Sequence, residues 1–185
     1  MDKLENAIVF ATSAHAGMKR KGKTRPYILH PLEAMTIVAT ITDDEDVLAA
    51  AVLHDTIEDT DTTYADIVRE FGSRVADLVA AESEDKREDR PSSETWEIRK
   101  RETINELEKA GRDVQLICLG DKLSNLREIA RDHDALGDSL WSRFNQKDKS
   151  KHAWYYGSIL TILDREFPGT DAIREYHVLM ERVFG

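Results

Sequence analysis

Residues 47–59 read Val47-Leu48-Ala49-Ala50-Ala51-Val52-Leu53-His54-Asp55-Thr56-Ile57-Glu58-Asp59. Seven consecutive apolar residues fit a helix that is apolar all round, and such a helix belongs at the centre of a domain. Asp43 or Asp44 stands where its N-cap is needed. The run then turns polar. His54 and Glu58 are four apart, as are Asp55 and Asp59. If the turn stays helical, two acids and a histidine share one local surface. Unpaired carboxylates beside a core are costly to bury. Coordination of a metal offsets that cost; a capped helix end with solvated acids is the alternative.

The chain on either side divides into helical blocks. Leu4, Ala7, Ile8, Ala11, His15 and Met18 follow helix spacing up to Gly22 and Pro26. Pro31 suits the first turn of a second helix through Val38 and Ala39. Thr62 or Thr63 caps the next helix, which Gly72 stops, and Ser73 starts a short one through Leu78. Residues 83–93 are polar throughout and predict a surface loop that can act as a lid. Helices are expected over 94–110, stopped by Gly111, and over 114–130, capped by Asp113. Residues 132–148 read mostly as loop. Two more helices are expected, over 150–166 and after the Thr170 cap. Strand-like alternation is nearly absent, so the fold class is all-α, with several short helices around a central one.

With 185 residues, the chain is expected to form one domain over 1–185. Hydrophobic residues make up 41% and charged residues 34%, an ordinary balance for a wet-surfaced globular protein. The single cysteine precludes an intrachain disulfide and fits a reducing, cytoplasmic setting. No apolar run is long enough for a membrane span, and the charged start Met1-Asp2-Lys3-Leu4-Glu5 is unlike a secretory signal. A net charge of −10 argues against DNA or RNA as a partner. One stretch runs the other way. Lys19-Arg20-Lys21-Gly22-Lys23-Thr24-Arg25 holds five basic residues and no acid. Such a patch on an acidic protein can hold a small polyanion; a solvated helix end and loop is the plainer alternative.

Further polar residues interrupt apolar surroundings. Val114, Ile117, Asp121 and Asn125 fall on one helical stripe, so Asp121 intrudes on a face that its neighbours would bury. An inward carboxylate needs a metal or a partner such as Lys or Arg. His30 follows Tyr27-Ile28-Leu29 where a loop enters a helix. Two histidines and two aspartates suit a divalent transition ion and leave positions open for water and substrate. Glu58 or Asp59 can then act as base or orient the water. No glycine-rich phosphate loop and no nucleophilic Ser or Cys constellation is present. His15 lies on an apolar stripe and reads as a satisfied core histidine, while His133 and His152 read as ordinary, partly exposed ones.

Taken together, these stretches resemble the HD-domain metal-dependent phosphohydrolases. The closer likeness is to the hydrolase half of the RelA/SpoT alarmone enzymes and to stand-alone small alarmone hydrolases. It is carried by His15-Ala16-Gly17 with Arg20-Lys21, Pro26 to Leu32, Ala50 to Thr60, Phe71-Gly72, and Asp121 to Leu126. The resemblance implies an orthogonal helical bundle with one metal ion, usually manganese, held by His30, His54, Asp55 and Asp121. Glu58 and Asp59 match the acidic pair that orients or activates water. Arg20 and Lys21 match basic residues that meet the nucleotide, and Asn125 matches a residue near the sugar. Lys100 and Tyr155 are further candidates for substrate contact, against an exposed basic helix face and core packing respectively. The implied reaction is (p)ppGpp 3′-pyrophosphohydrolysis, giving GDP or GTP plus pyrophosphate. This chain departs from the family with Glu128, where a Thr is common, and with one extra residue before Pro26. Those departures leave two alternatives. One is an HD phosphatase for another nucleotide or NADPH; the other is a non-catalytic nucleotide-binding protein. The oligomeric state stays open.

Overall fold

The computed structural model describes residues 2–84, 87 and 90–185. The proposed lid at 83–93 therefore lies partly outside the described residues. All regular structure among them is helical, with one isolated antiparallel bridge between Lys19 and Pro26. The all-α expectation holds.

The residues form two compact units. One comprises 1–83 with 116–124, and the other 84–115 with 125–185. The first unit contains α1 (Lys3–Ala14), α2 (Leu29–Val38), α3 (Glu45–Leu53), α4 (Thr56–Asp59), α5 (Tyr64–Phe71) and α6 (Ser73–Glu82). Helices α1, α2 and α6 pack on α3. Every residue of α3 from Ala49 to Leu53 is fully buried. Burying a Val or Leu side chain contributes roughly 1.5–3 kcal/mol, so this helix anchors the unit. Of the two candidate caps, Asp44 is the one used. Its carboxylate accepts from the Asp46 amide at 3.0 Å and the Val47 amide at 3.4 Å. Arg74 on α6 binds the same carboxylate and that of Asp46, tying α6 to the start of the central helix. Thr63 caps α5 in a reciprocal box with Asp66, and Gly72 takes a positive φ of 91° where α5 turns into α6.

The second unit contains α7 (Ser92–Lys109), α9 (Lys149–Glu166) and α10 (Asp171–Phe184), with α9 packed on both others. Thr170 caps α10, as its position predicts. Helix α8 (Arg112–Leu136) contributes its middle, 116–124, to the first unit and its ends to the second. Three expectations need correction here. Gly111, not Asp113, is the N-cap of α8, and it makes no side-chain cap bond. The expected loop at 132–148 is largely helical, because α8 runs on to Leu136 and a 3-10 helix follows over Gly137–Arg143. Leu140 and Trp141 are buried there, and that anchorage orders a segment whose composition is polar. His152 is buried, not partly exposed; its ring stacks on Trp141 at 4.9 Å and its Nε2 donates to the Gln146 carbonyl at 2.8 Å.

Candidate metal centre

The apolar run of α3 stops at Leu53, and His54 and Asp55 form a turn before α4. The helix is interrupted, yet the Asp59 amide still donates to the Asp55 carbonyl at 2.9 Å. Asp55 and Asp59 consequently stay on one side, as their spacing predicts. His30 enters from α2 and Asp121 from α8. The approach of these helices depends on Gly120. A Cβ there would stand 2.7 Å from the Ala34 carbonyl oxygen and 2.8 Å from Val38 Cγ2.

The four expected ligands converge. His30 Nε2 lies 3.1 Å from Asp121 Oδ1 and 3.5 Å from Asp55 Oδ2. His54 Nε2 lies 3.1 Å from Asp55 Oδ2 and 3.7 Å from Asp121 Oδ1. His30, His54 and Asp121 each offer one ligand atom within 4.8 Å of the others, and all three are buried. Asp55 stands against both imidazoles at the edge of this trio.

Proton placement tests the fit to a cation. His54 Nδ1 faces the Ala51 carbonyl at 2.9 Å. A carbonyl only accepts, so that nitrogen carries the proton. His30 Nδ1 faces the Ser124 hydroxyl at 2.9 Å, and that hydroxyl donates to Glu33 Oε2 at 2.8 Å. Ser124 is then an acceptor toward His30, and Nδ1 again carries the proton. In the neutral rings both Nε2 atoms present lone pairs to carboxylate oxygens. Such an arrangement calls for positive charge between them, and the residues present fit a divalent ion.

The electrostatics point the same way. Burial pulls the His54 pKa down, but the Asp55 and Asp121 carboxylates outweigh it and hold the imidazole well above its ordinary value. Burial pushes Asp121 up, and the Lys122 ammonium beside it and the two imidazoles more than reverse that. Asp55 is likewise lowered against its burial, chiefly by His54.

Around the ligands lie groups that residue spacing alone did not single out. The Tyr27 hydroxyl is 2.8 Å from Asp55 Oδ2 and 2.8 Å from Asp59 Oδ2. Burial and the two carboxylates push the phenol far above its ordinary range, so it stays protonated. His15 packs on the Tyr27 ring at 4.9 Å and is buried as expected. Neither of its ring nitrogens has a hydrogen-bond partner among the described residues, so it is not the satisfied core residue the sequence suggests. Glu82 at the end of α6 is pushed up to about 7 by burial, with Lys122 opposing and Asp121 reinforcing. Position next to a ligand was the available signal: Tyr27 precedes His30 by one turn, and Ser124 follows Asp121 by one.

Arg20 and Lys21 sit on the turn that closes between Lys19 and Pro26, and the Arg20 guanidinium lies 5.3 Å from the Tyr27 ring centroid. Arg20 is half-buried and Lys21 exposed. Glu58 lies beside Asp59 on α4, half-buried. Asn125 is half-buried, one turn beyond Asp121 on α8. In the second unit the Lys100 ammonium binds Glu84 Oε2 at 2.6 Å and stands 4.9 Å from the centroid of the buried Tyr155 ring. Arg99 binds the same Glu84 carboxylate. Lys100 is thus part of a half-buried charge cluster and not of an exposed basic face.

Comparison with known proteins agrees with this geometry. The HD domain family model matches residues 7–145. A zebrafish protein named guanosine-3′,5′-bis(diphosphate) 3′-pyrophosphohydrolase MESH1 is 36% identical over 132 residues, covering 69% of each chain. The human MESH1 protein is 39% identical over 132 residues, 69% of this chain and 70% of that one. The Escherichia coli bifunctional (p)ppGpp synthase/hydrolase SpoT is 38% identical over 128 residues, 69% of this chain but 18% of SpoT. An Aquifex aeolicus protein named as the same hydrolase is matched over 11% of its length, so this chain spans only a small part of the long relatives. Among solved structures, a metazoan SpoT orthologue described as hydrolysing ppGpp superposes with a TM-score of 0.76 at 26% identity, covering 98% of this chain and 95% of that one. The lmo0812 protein of Listeria monocytogenes gives a TM-score of 0.72 at 33% identity, covering 90% of this chain and 99% of that one. The chain belongs to the HD-domain phosphohydrolase family, with the SpoT hydrolase region and the stand-alone MESH1 enzymes among its relatives.

Proposed function

We propose that this chain is a manganese-dependent (p)ppGpp 3′-pyrophosphohydrolase of the cytoplasm, releasing pyrophosphate and leaving GDP or GTP. The observation that carries it is the convergence of His30 Nε2 and His54 Nε2 on the carboxylates of Asp55 and Asp121. His30, His54, Asp55 and Asp121 would hold the ion. A divalent ion there supplies Lewis-acid charge and lowers the pKa of a bound water.

The chain's own residues supply the rest. Asp59 shares the Tyr27 hydroxyl with Asp55, which supports it as the group that takes a proton from the attacking water. Its neighbour Glu58 completes the acidic pair. Arg20 and Lys21 neutralise the charge of the clustered phosphates, and charge neutralisation supplies most of the rate gain in such a transfer. Asn125, one turn beyond Asp121 on α8, is the residue proposed for the sugar. The single cysteine, Cys118, is buried and forms no disulfide, which fits a reducing compartment. No helix among the described residues is long and apolar enough to cross a membrane.

The test is product analysis. Manganese-loaded protein is incubated with ppGpp and the products are separated by anion exchange, with Asp121→Ala as control. GDP plus pyrophosphate, lost in the variant, is the expected result. Intact ppGpp from a folded, metal-bound protein overturns the substrate, and phosphate release from other nucleotides or NADPH is then measured.

A further inference from the structure

His30 is held at both ring nitrogens by residues of α8. Nε2 meets Asp121 at 3.1 Å, and Nδ1 meets Ser124 at 2.9 Å. Asp121 and Ser124 are one turn apart on α8, and His30 and Glu33 are one turn apart on α2, so each helix presents its pair along one face. Ser124 is 2% exposed, and its hydroxyl donates a hydrogen bond to Glu33 Oε2 at 2.8 Å.

A serine hydroxyl has a single proton. Were it free to rotate, it could donate to His30 Nδ1. The ring would then carry its proton on Nε2 and lose the lone pair that a metal needs. Glu33 prevents this by accepting the hydroxyl proton. The line Glu33–Ser124–His30 therefore has one direction, with every proton pointing away from the metal position. His54 needs no such device, because a backbone carbonyl can only accept.

We propose that Glu33 and Ser124 are positioning residues that lock His30 in its Nδ1–H form and so set the metal affinity of the centre. This rests on the metal-centre assignment above but not on the identity of the nucleotide. The first readout is manganese binding to the metal-free protein, followed by the electron paramagnetic resonance of free ion. Ser124→Ala is expected to weaken binding ~10–100-fold, the usual effect of removing a partner of a metal-bound histidine. Glu33→Ala is expected to weaken it ~10-fold, because the hydroxyl can then turn toward Nδ1. The double variant should bind no more weakly than Ser124→Ala alone, since the proposed role of Glu33 runs through the serine. Glu33→Gln retains an acceptor oxygen and should stay closer to wild type than Glu33→Ala.

The second readout separates this role from general packing. Metal-free Ser124→Ala and Glu33→Ala should unfold within a few degrees of wild type. The zinc-loaded wild type should show a hydrogen-bonded His30 Nδ1 proton by nuclear magnetic resonance, and Ser124→Ala should lose it. Wild-type affinity in Ser124→Ala, or losses that multiply in the double variant, would overturn the proposal. A wild type that binds no divalent ion overturns the ligand set and the proposal together. A wild type that binds manganese but leaves ppGpp intact sinks only the substrate assignment.

Discussion

The Tyr27 hydroxyl stands 2.8 Å from Oδ2 of Asp59, the acid proposed to take the water proton. The same oxygen is 2.8 Å from Asp55, a proposed ligand. One phenol therefore fixes the base relative to the metal position. Tyr27→Phe keeps the ring that packs on His15 and under Arg20 but removes this link. The kcat for ppGpp should fall ~10–100-fold with little change in KM, the size seen for outer partners of metal ligands. A variant with wild-type kcat would show that Asp59 needs no such tether.

Two glycines make opposite predictions. Gly120→Ala puts a methyl within 2.8 Å of α2 atoms, one of them a backbone carbonyl. Overpacking of this kind costs roughly 1–3 kcal/mol, beyond the ~1 kcal/mol that alanine gains in a helix. Metal affinity should fall too, because α8 carries Asp121 and Ser124 beside His30. Gly157→Ala on α9 meets only Met180 Cε, at 3.8 Å, and should stabilise by about 0.5–1 kcal/mol. Chemical denaturation of both variants measures the contrast.

Glu82 predicts a pH dependence of the metal-free protein. Its folded pKa is pushed up to about 7 from an ordinary 4.5, first by burial. Between those values the folded state binds more protons than the unfolded one. Its contribution is thus fully present below about pH 4.5 and lost as pH rises through about 7. Glu82→Gln carries no titrating proton and should flatten that decline, by on the order of 3 kcal/mol at pH 8. Unfolding curves across pH 4–8 that match wild type would show that Glu82 ionises freely.

Metal binding should be visible as stability. An ion held only by the folded state contributes about 2.7 kcal/mol at a hundred times its Kd. Manganese should therefore raise the melting temperature of wild type. Asp121→Ala, which removes the carboxylate 3.1 Å from His30 Nε2, should lose most of that rise. An equal rise in the variant would place the ion elsewhere.

Much of this was legible locally. The caps were visible to within one residue, as Asp43 or Asp44, Thr62 or Thr63, and Thr170, because a capping side chain acts within three residues of its target. The apolar run 47–53 announced the central helix, and the polar break after it announced a site. The end of α8 was not legible. Residues 131–134 are polar, and the burial of Leu140 and Trp141 decides the segment beyond them. His15 illustrates a similar limit: its stripe predicted burial, but not that its ring nitrogens would lack hydrogen-bond partners among the described residues or that its ring would lie against Tyr27.

The sequence by itself determined an all-helical chain, a central apolar helix ending in His54-Asp55, and the types of residue able to hold a divalent ion. Helix periodicity, capping and residue chemistry are short-range properties, so they can be read without coordinates. Tertiary structure decided which groups meet. His30 and Ser124 are 94 residues apart, and they touch because Gly120 lets α8 approach α2. Tyr27 reaches Asp55 and Asp59 across 28 and 32 residues. Proton direction along Glu33–Ser124–His30 follows only from that packing, since a hydroxyl's role is set by whichever acceptor stands nearest to it.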